Sequence, residues 1–288
     1  MPLVNLGVSS NYDAWLRSGG RGIDTAYAYG KKRLISVGTA LRKSTLPRSR
    51  VFLTSKLPCC PARFQCGPES KGWWFWPPVS NHGKTVKSYE SLRELVETDL
   101  MLFAEYSLKE LQTDYVDLML LHFPCESNEQ SLRAYRVLEI LQRTGKARAI
   151  GVANFNATQL EMLTASASIR PSVNQFGYSL GRPSTPWFDD AKLVLEKTRK
   201  LGITPVAYGA LGSSTHQGIH SIVTNPKVNK VASSLHVSAA QVALRWLAQQ
   251  RIPFVTAGSS PEHFVEDVAT VRFELDAHHM LLLSSAHF

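Results

Sequence analysis

Residues 115–122 read YVDLMLLH, one aspartate in an otherwise apolar run that closes on a histidine. A strand with one wet face alternates polar and apolar residues. A near-continuous apolar run of this length instead fits a strand buried on both faces, as in a parallel sheet. The flanking sequence agrees. Upstream lies LRELVETDLMLFAEYSLKELQ (92–112), where Leu92, Leu95, Val96, Leu100, Phe103 and Leu111 recur roughly at helical period. Downstream, LRAYRVLEILQRTG (132–145) ends on Gly145, a natural helix stop. Further strand-like runs are PLVNLGV (2–8), RGIDTA (21–26), RVFLTSK (50–56), ARAIGVAN (147–154), PSVNQ (171–175), ITPVAY (203–208) and PFVTAG (253–258). Helical patterns occupy NYDAWLRSG (11–19), NATQLEMLTAS (156–166), WFDDAKLVLEKTRKLG (187–202) and VSAAQVALRWLAQQ (237–250). Roughly eight strand–helix units in 288 residues predict a closed (β/α)8 TIM barrel, a single domain over 1–288. Its first helix is short, and the loop after the third strand, 59–88, is unusually long.

Composition narrows the class. Hydrophobic residues make up 44% and charged residues 19%, as expected of a soluble protein with a large core. No apolar run approaches the ~20 residues of a membrane span. The first residues lack the basic-then-apolar order of a secretory signal. The net charge of +9 is spread along the chain rather than gathered into dense basic runs with interleaved aromatics. That argues against nucleic-acid binding and for simple solubility. Cys59, Cys60, Cys66 and Cys125 match no zinc spacing. They are expected to be reduced thiols of a cytoplasmic protein.

Six of the strand-like runs share one feature: each ends in a side chain that can ionise or hydrogen-bond. Asp24 ends RGID, Lys56 ends RVFLTSK and His122 ends YVDLMLLH; Asn154, Gln175 and Tyr208 end three later runs. In a parallel barrel these ends converge on the catalytic face. Any one of them alone is more often a structural polar residue. Four titratable groups there, with Tyr29 in GIDTAYAYG (22–30), are harder to explain so, because a buried unpaired charge is costly. The set suits proton donation to a carbonyl. A phenol has a pKa near ~10, and a neighbouring ammonium favours its phenolate. An aspartate keeps that ammonium charged, and a histidine orients the carbonyl oxygen. The cluster holds no strong nucleophile and no metal cage, so it needs a hydride source. The later amides and the Tyr208 ring suit a nicotinamide.

The sequence resembles the aldo-keto reductase superfamily over nearly its whole length. GIDTAYAYG, VFLTSKL, YVDLMLLHFP, AIGVANFN, VNQ and PVAYGALGS are similar to the family's motifs, in the family's order. The resemblance implies catalytic roles for Asp24, Tyr29, Lys56 and His122. It implies cofactor contacts for Asn154, Gln175, Tyr208, Leu211 and Ser213. It implies NADPH-dependent reduction of an aldehyde or ketone, with hydride from nicotinamide C4, the proton from Tyr29, and no metal. The implied partner is a small carbonyl compound, with no nucleic acid or membrane, on a monomer or weak oligomer. A cofactor-binding protein of the same fold with little turnover is the alternative.

Several positions depart from the family pattern. Ala257 and His263 stand where a lysine and an arginine usually hold the adenosine 2′-phosphate. Ser259, Ser260 and His263 are left to contact it, so NADPH preference should be weakened and NADH usable. Ala153 replaces the serine before Asn154, and Ser9 lies where a tryptophan is usual after the first strand. The 59–88 loop carries Trp73, Trp74 and Trp76, candidates with Phe123 for the substrate pocket. The chain also ends where relatives usually continue into a loop that walls the substrate site.

Overall fold

The computed structural model describes residues 1–59, 97–180, 190–212 and 222–285. Eight strands pair in sequence order into a closed parallel barrel: β1 Val4–Leu6, β2 Gly22–Asp24, β3 Phe52–Leu57, β4 Val116–Leu121, β5 Ala147–Ala153, β6 Val173–Gly177, β7 Thr204–Tyr208 and β8 Phe254–Thr256. Among the described residues the helices are α1 Tyr12–Arg17, α2 Lys31–Lys43, α3 Glu97–Glu110, α4 Asn128–Arg143, α5 Ala157–Ser166, α6 Ala191–Lys200, α7 Pro226–Leu235, α8 Ala239–Gln249, α9 Pro261–Ala269 and α10 Ala277–Ser284. None of them is long and apolar enough to cross a membrane.

The chain groups into two compact units, one of Met1–Ile23, Gln175–Lys200 and Thr204–Phe288, the other of Asp24–Asn174 and Leu201–Ile203. In the second unit β4 is buried along its whole length, including the apolar Leu118, Met119, Leu120 and Leu121. Each such side chain contributes roughly 1.5–3 kcal/mol on burial. β3 pairs with β4 in the register Lys56↔Leu120 and Leu57↔Leu121, and β4 with β5 in the register Leu121↔Val152. The register carries the ends of these strands out side by side. In the first unit, β1 pairs with β2 and β8 (Leu6↔Ile23, Leu6↔Thr256).

The helices begin where local chemistry predicts. Ser127 with Gln130, Asn156 with Gln159 and Ser238 with Gln241 form capping boxes on α4, α5 and α8. Each box satisfies backbone N–H groups that have no intrahelical partner. The short α1, six residues, agrees with the shortened first helix read from the sequence. Four helices, α2, α7, α9 and α10, escaped the periodicity reading.

One expectation is overturned. Cys59 and Cys125 are joined as a disulfide rather than held as reduced thiols. The two cysteines are 66 residues apart in sequence, so no local spacing announces the pair; paired neighbouring strands bring them together. Cys60 and Cys66 lie outside the described residues.

Candidate active site

The site is built on the exits of β2, β3 and β4. Lys56 is the penultimate residue of β3 and is fully buried. Its Nζ donates to the Asp24 carboxylate, to the Thr25 carbonyl at 3.1 Å and to the Tyr29 hydroxyl at 3.4 Å. Asp24 closes β2, and Tyr29 closes the 3-10 turn Tyr27–Tyr29 that follows. That turn brings the half-buried Tyr29 back over the lysine, whose Nζ lies 5.1 Å from the ring centre. His122 follows β4; its ring packs edge-to-face on Tyr29 at 5.9 Å and stacks on Phe123 at 5.0 Å.

The backbone holds His122 from two sides. Its N–H donates to Leu57 O at 2.8 Å, and its carbonyl accepts from Asn154 Nδ2 at 2.8 Å. Asn154 leaves β5 in the left-handed region, φ 66°, a conformation that asparagine tolerates better than most residues. Asn154 is therefore a positioning residue for His122, besides any role toward a cofactor.

Electrostatics give each group a defined state. Burial would draw the Lys56 ammonium down, but Asp24 and Tyr29 outweigh it, so Lys56 stays charged. Burial, assisted by the lysine charge, holds His122 well below its ordinary value, so the ring is neutral near pH 7. The sequence reading had Lys56 lowering the Tyr29 pKa. The lysine does pull in that direction, but burial is larger and the net shift is upward. Tyr29 therefore keeps its proton at neutral pH, and the ammonium acts on the phenolate formed when that proton leaves.

The structure thus brings together Asp24, Tyr29, Lys56 and His122, all within one unit, with Asn154 attached. It adds the Thr25 carbonyl, which side-chain reasoning had no way to flag. The remaining candidates, in the first unit, behave differently. Gln175 is buried in β6, Tyr208 closes β7 half-buried, and Leu211 is half-buried beyond it. Ser259 accepts hydrogen bonds from the Ser10 N–H at 3.1 Å and the Ser10 hydroxyl at 2.7 Å. Ser260 donates its hydroxyl to the Glu262 carboxylate, and His263 is exposed. Ser213, Trp73, Trp74 and Trp76 lie outside the described residues.

A parallel eight-stranded barrel with an acid–base cluster at adjoining strand exits defines a class of barrel enzymes, and comparison with known proteins narrows it. The sequence profile described as the Aldo/keto reductase family matches residues 9–286, and the chain belongs to that family. It is 31% identical over 291 residues to an aldo-keto reductase of Mycolicibacterium vanbaalenii, covering 98% of this chain and 87% of that protein. It is also 31% identical to morphine 6-dehydrogenase of Pseudomonas putida, covering 96% and 84%. Among solved structures, an aldo-keto reductase from a Medee basin deep-sea metagenome library superposes with a TM-score of 0.79 at 27% identity, covering 100% of this chain and 92% of that one. Family membership makes the chain an oxidoreductase of the carbonyl-reducing type.

Proposed function

We propose that this chain reduces a small aldehyde or ketone to an alcohol with NADPH or NADH, Tyr29 supplying the proton to the carbonyl oxygen. One observation carries the reading: a buried, charged Lys56 bonds to Asp24 and to the Tyr29 hydroxyl, with His122 packed edge-to-face on the phenol ring. A protein that only bound a cofactor would gain nothing from burying an ion pair at its desolvation cost.

The residues present fit a nicotinamide by their chemistry. Asn154 and Gln175 offer buried amides suited to a carboxamide, and Tyr208 offers a half-exposed ring suited to stacking. When bound, the reduced nicotinamide supplies a hydride. The chain's residues do the rest. His122, neutral, donates a hydrogen bond to the carbonyl oxygen and fixes its direction. Tyr29 releases its proton to that oxygen, and Lys56 stabilises the phenolate left behind. Asp24 and the Thr25 carbonyl hold the ammonium in place. Tyr29→Phe should abolish turnover of a nitrobenzaldehyde while the cofactor still quenches protein fluorescence. Near-wild-type reduction by that variant would remove Tyr29 as the acid.

The adenosine end favours little discrimination between the two cofactors. Ala257 carries no charge, His263 is exposed, Ser259 is engaged with Ser10, and Ser260 points its hydrogen at Glu262. Two missing cations forfeit roughly 1.5–3 kcal/mol each toward a 2′-phosphate. Dissociation constants for NADPH and NADH should therefore be similar. A several-hundred-fold NADPH preference would contradict this.

A further inference from the structure

We propose that Cys59 and Cys125 form a reversible thiol–disulfide site that clasps the two strand exits bearing Lys56 and His122 and so tunes substrate binding. Cys59 lies three residues after Lys56, and Cys125 three after His122. Their Cα atoms are 5.0 Å apart and their sulfurs are bonded. The β3–β4 ladder ends just before them, its last rung the 2.8 Å bond from His122 N–H to Leu57 O. The disulfide therefore closes a small ring beyond the ladder, through Leu57, Pro58, Cys59, Cys125, Pro124, Phe123 and His122.

Two consequences follow from this placement. Cutting the S–S bond leaves the ladder intact, so the protein can be reduced while folded. Lys56 and His122 keep their own anchors, Asp24 and Thr25 for the one, Leu57 O and Asn154 for the other. The clasp adds a covalent restraint to the stretch between, where Phe123 lies against the His122 ring. On its far side the Cys125 N–H donates to Ser131 Oγ, which donates to Ser127 O, tying the clasp to the start of α4. Both cysteines are buried, keeping 7% and 8% of their surface.

The chemistry is a two-electron exchange with a dithiol. One reductant thiolate attacks a cysteine sulfur, the Sγ–Sγ bond breaks, and the departing cysteine thiolate takes a proton. The reductant's second thiol then displaces the first cysteine, which is protonated in turn, and the reductant leaves as a cyclic disulfide. Two electrons and two protons pass to the protein; a small-molecule disulfide reverses the step.

The test uses the full chain carrying Cys60→Ser and Cys66→Ser, so that only Cys59 and Cys125 respond. It is equilibrated in mixtures of reduced and oxidised dithiothreitol, then alkylated for peptide mass analysis. We expect one reversible transition and, on reduction, lost hydrogen-exchange protection across 123–131, with the His122 amide still protected. KM for a test aldehyde should rise several-fold, with kcat and cofactor affinity unchanged; Cys59→Ser or Cys125→Ser should reproduce the reduced behaviour in any mixture. Free thiols under oxidising mixtures, a bond that resists dithiothreitol in the folded protein, or equal KM in both states would overturn the proposal. The KM readout rests on the proposed reductase activity. If neither state turned over substrate, that reading would fail, and alkylation with exchange protection would still decide the thiol site.

Discussion

Asp267, on α9, shows how one residue's surroundings can oppose its charge. Burial pushes its carboxyl up to about 6, although a hydrogen bond with Thr256 and the nearby His263 pull the other way. The folded protein therefore holds this proton more tightly than an unfolded chain with the ordinary value of 3.8. The stability it contributes is complete below that ordinary value and is lost as pH rises through about 6. Asp267→Asn should accordingly stabilise the protein near pH 7, by up to about 3 kcal/mol, and do little near pH 4. Urea unfolding at both pH values checks this; equal gains would mean that burial of charge is not the cause. The carboxyl sits among first-unit residues with no strand-end signal, and its raised pKa was invisible beforehand. Asp24, Lys56 and His122 were legible for the opposite reason: each is a polar stop on an apolar run. Their states were less so, because the sign of the Tyr29 shift depends on how burial compares with one ammonium.

At the scale of elements, α2 is the instructive case. KKRLISVGTALRK (31–43) carries a central glycine and β-branched neighbours, all poor helix formers, and its periodicity did not register as a helix. The structure supplies the reason for the glycine. A Cβ on Gly38 would lie 2.8 Å from Glu110 O and from Leu111 O, at the end of α3. The two helices approach so closely that only a bare backbone fits. Gly38→Ala should therefore destabilise by about 1–3 kcal/mol through overpacking, reversing the gain of up to about 1 kcal/mol that alanine's helix propensity would bring. Thermal unfolding of the variant decides the sign, and a stabilised variant would show that the helices move apart freely. Elements with clear caps were easier to read. The boxes at Ser127, Asn156 and Ser238 are spelled in adjacent residues, and α4, α5 and α8 start within a few residues of where their patterns did.

For the whole molecule, the Cys59–Cys125 bond closes a span of 66 residues. Chain entropy alone assigns a closure of that length about 4 kcal/mol of stabilisation. Cys125→Ser, or dithiothreitol on the unmodified chain, should lower the unfolding midpoint, and neither should add to the effect of the other. A midpoint indifferent to reductant would mean that the span is held without the bond. What the sequence by itself determined is the barrel, its strand order and the residues at the strand exits. Those features are written in local periodicity and in where apolar runs stop. Only the tertiary structure decided the partner of Cys59, the glycine contact between α2 and α3, the hold of Asn154 on His122 and the net direction of the Tyr29 shift. Each of these depends on residues far apart in the chain, whose distance and desolvation are set when the strands close and not before.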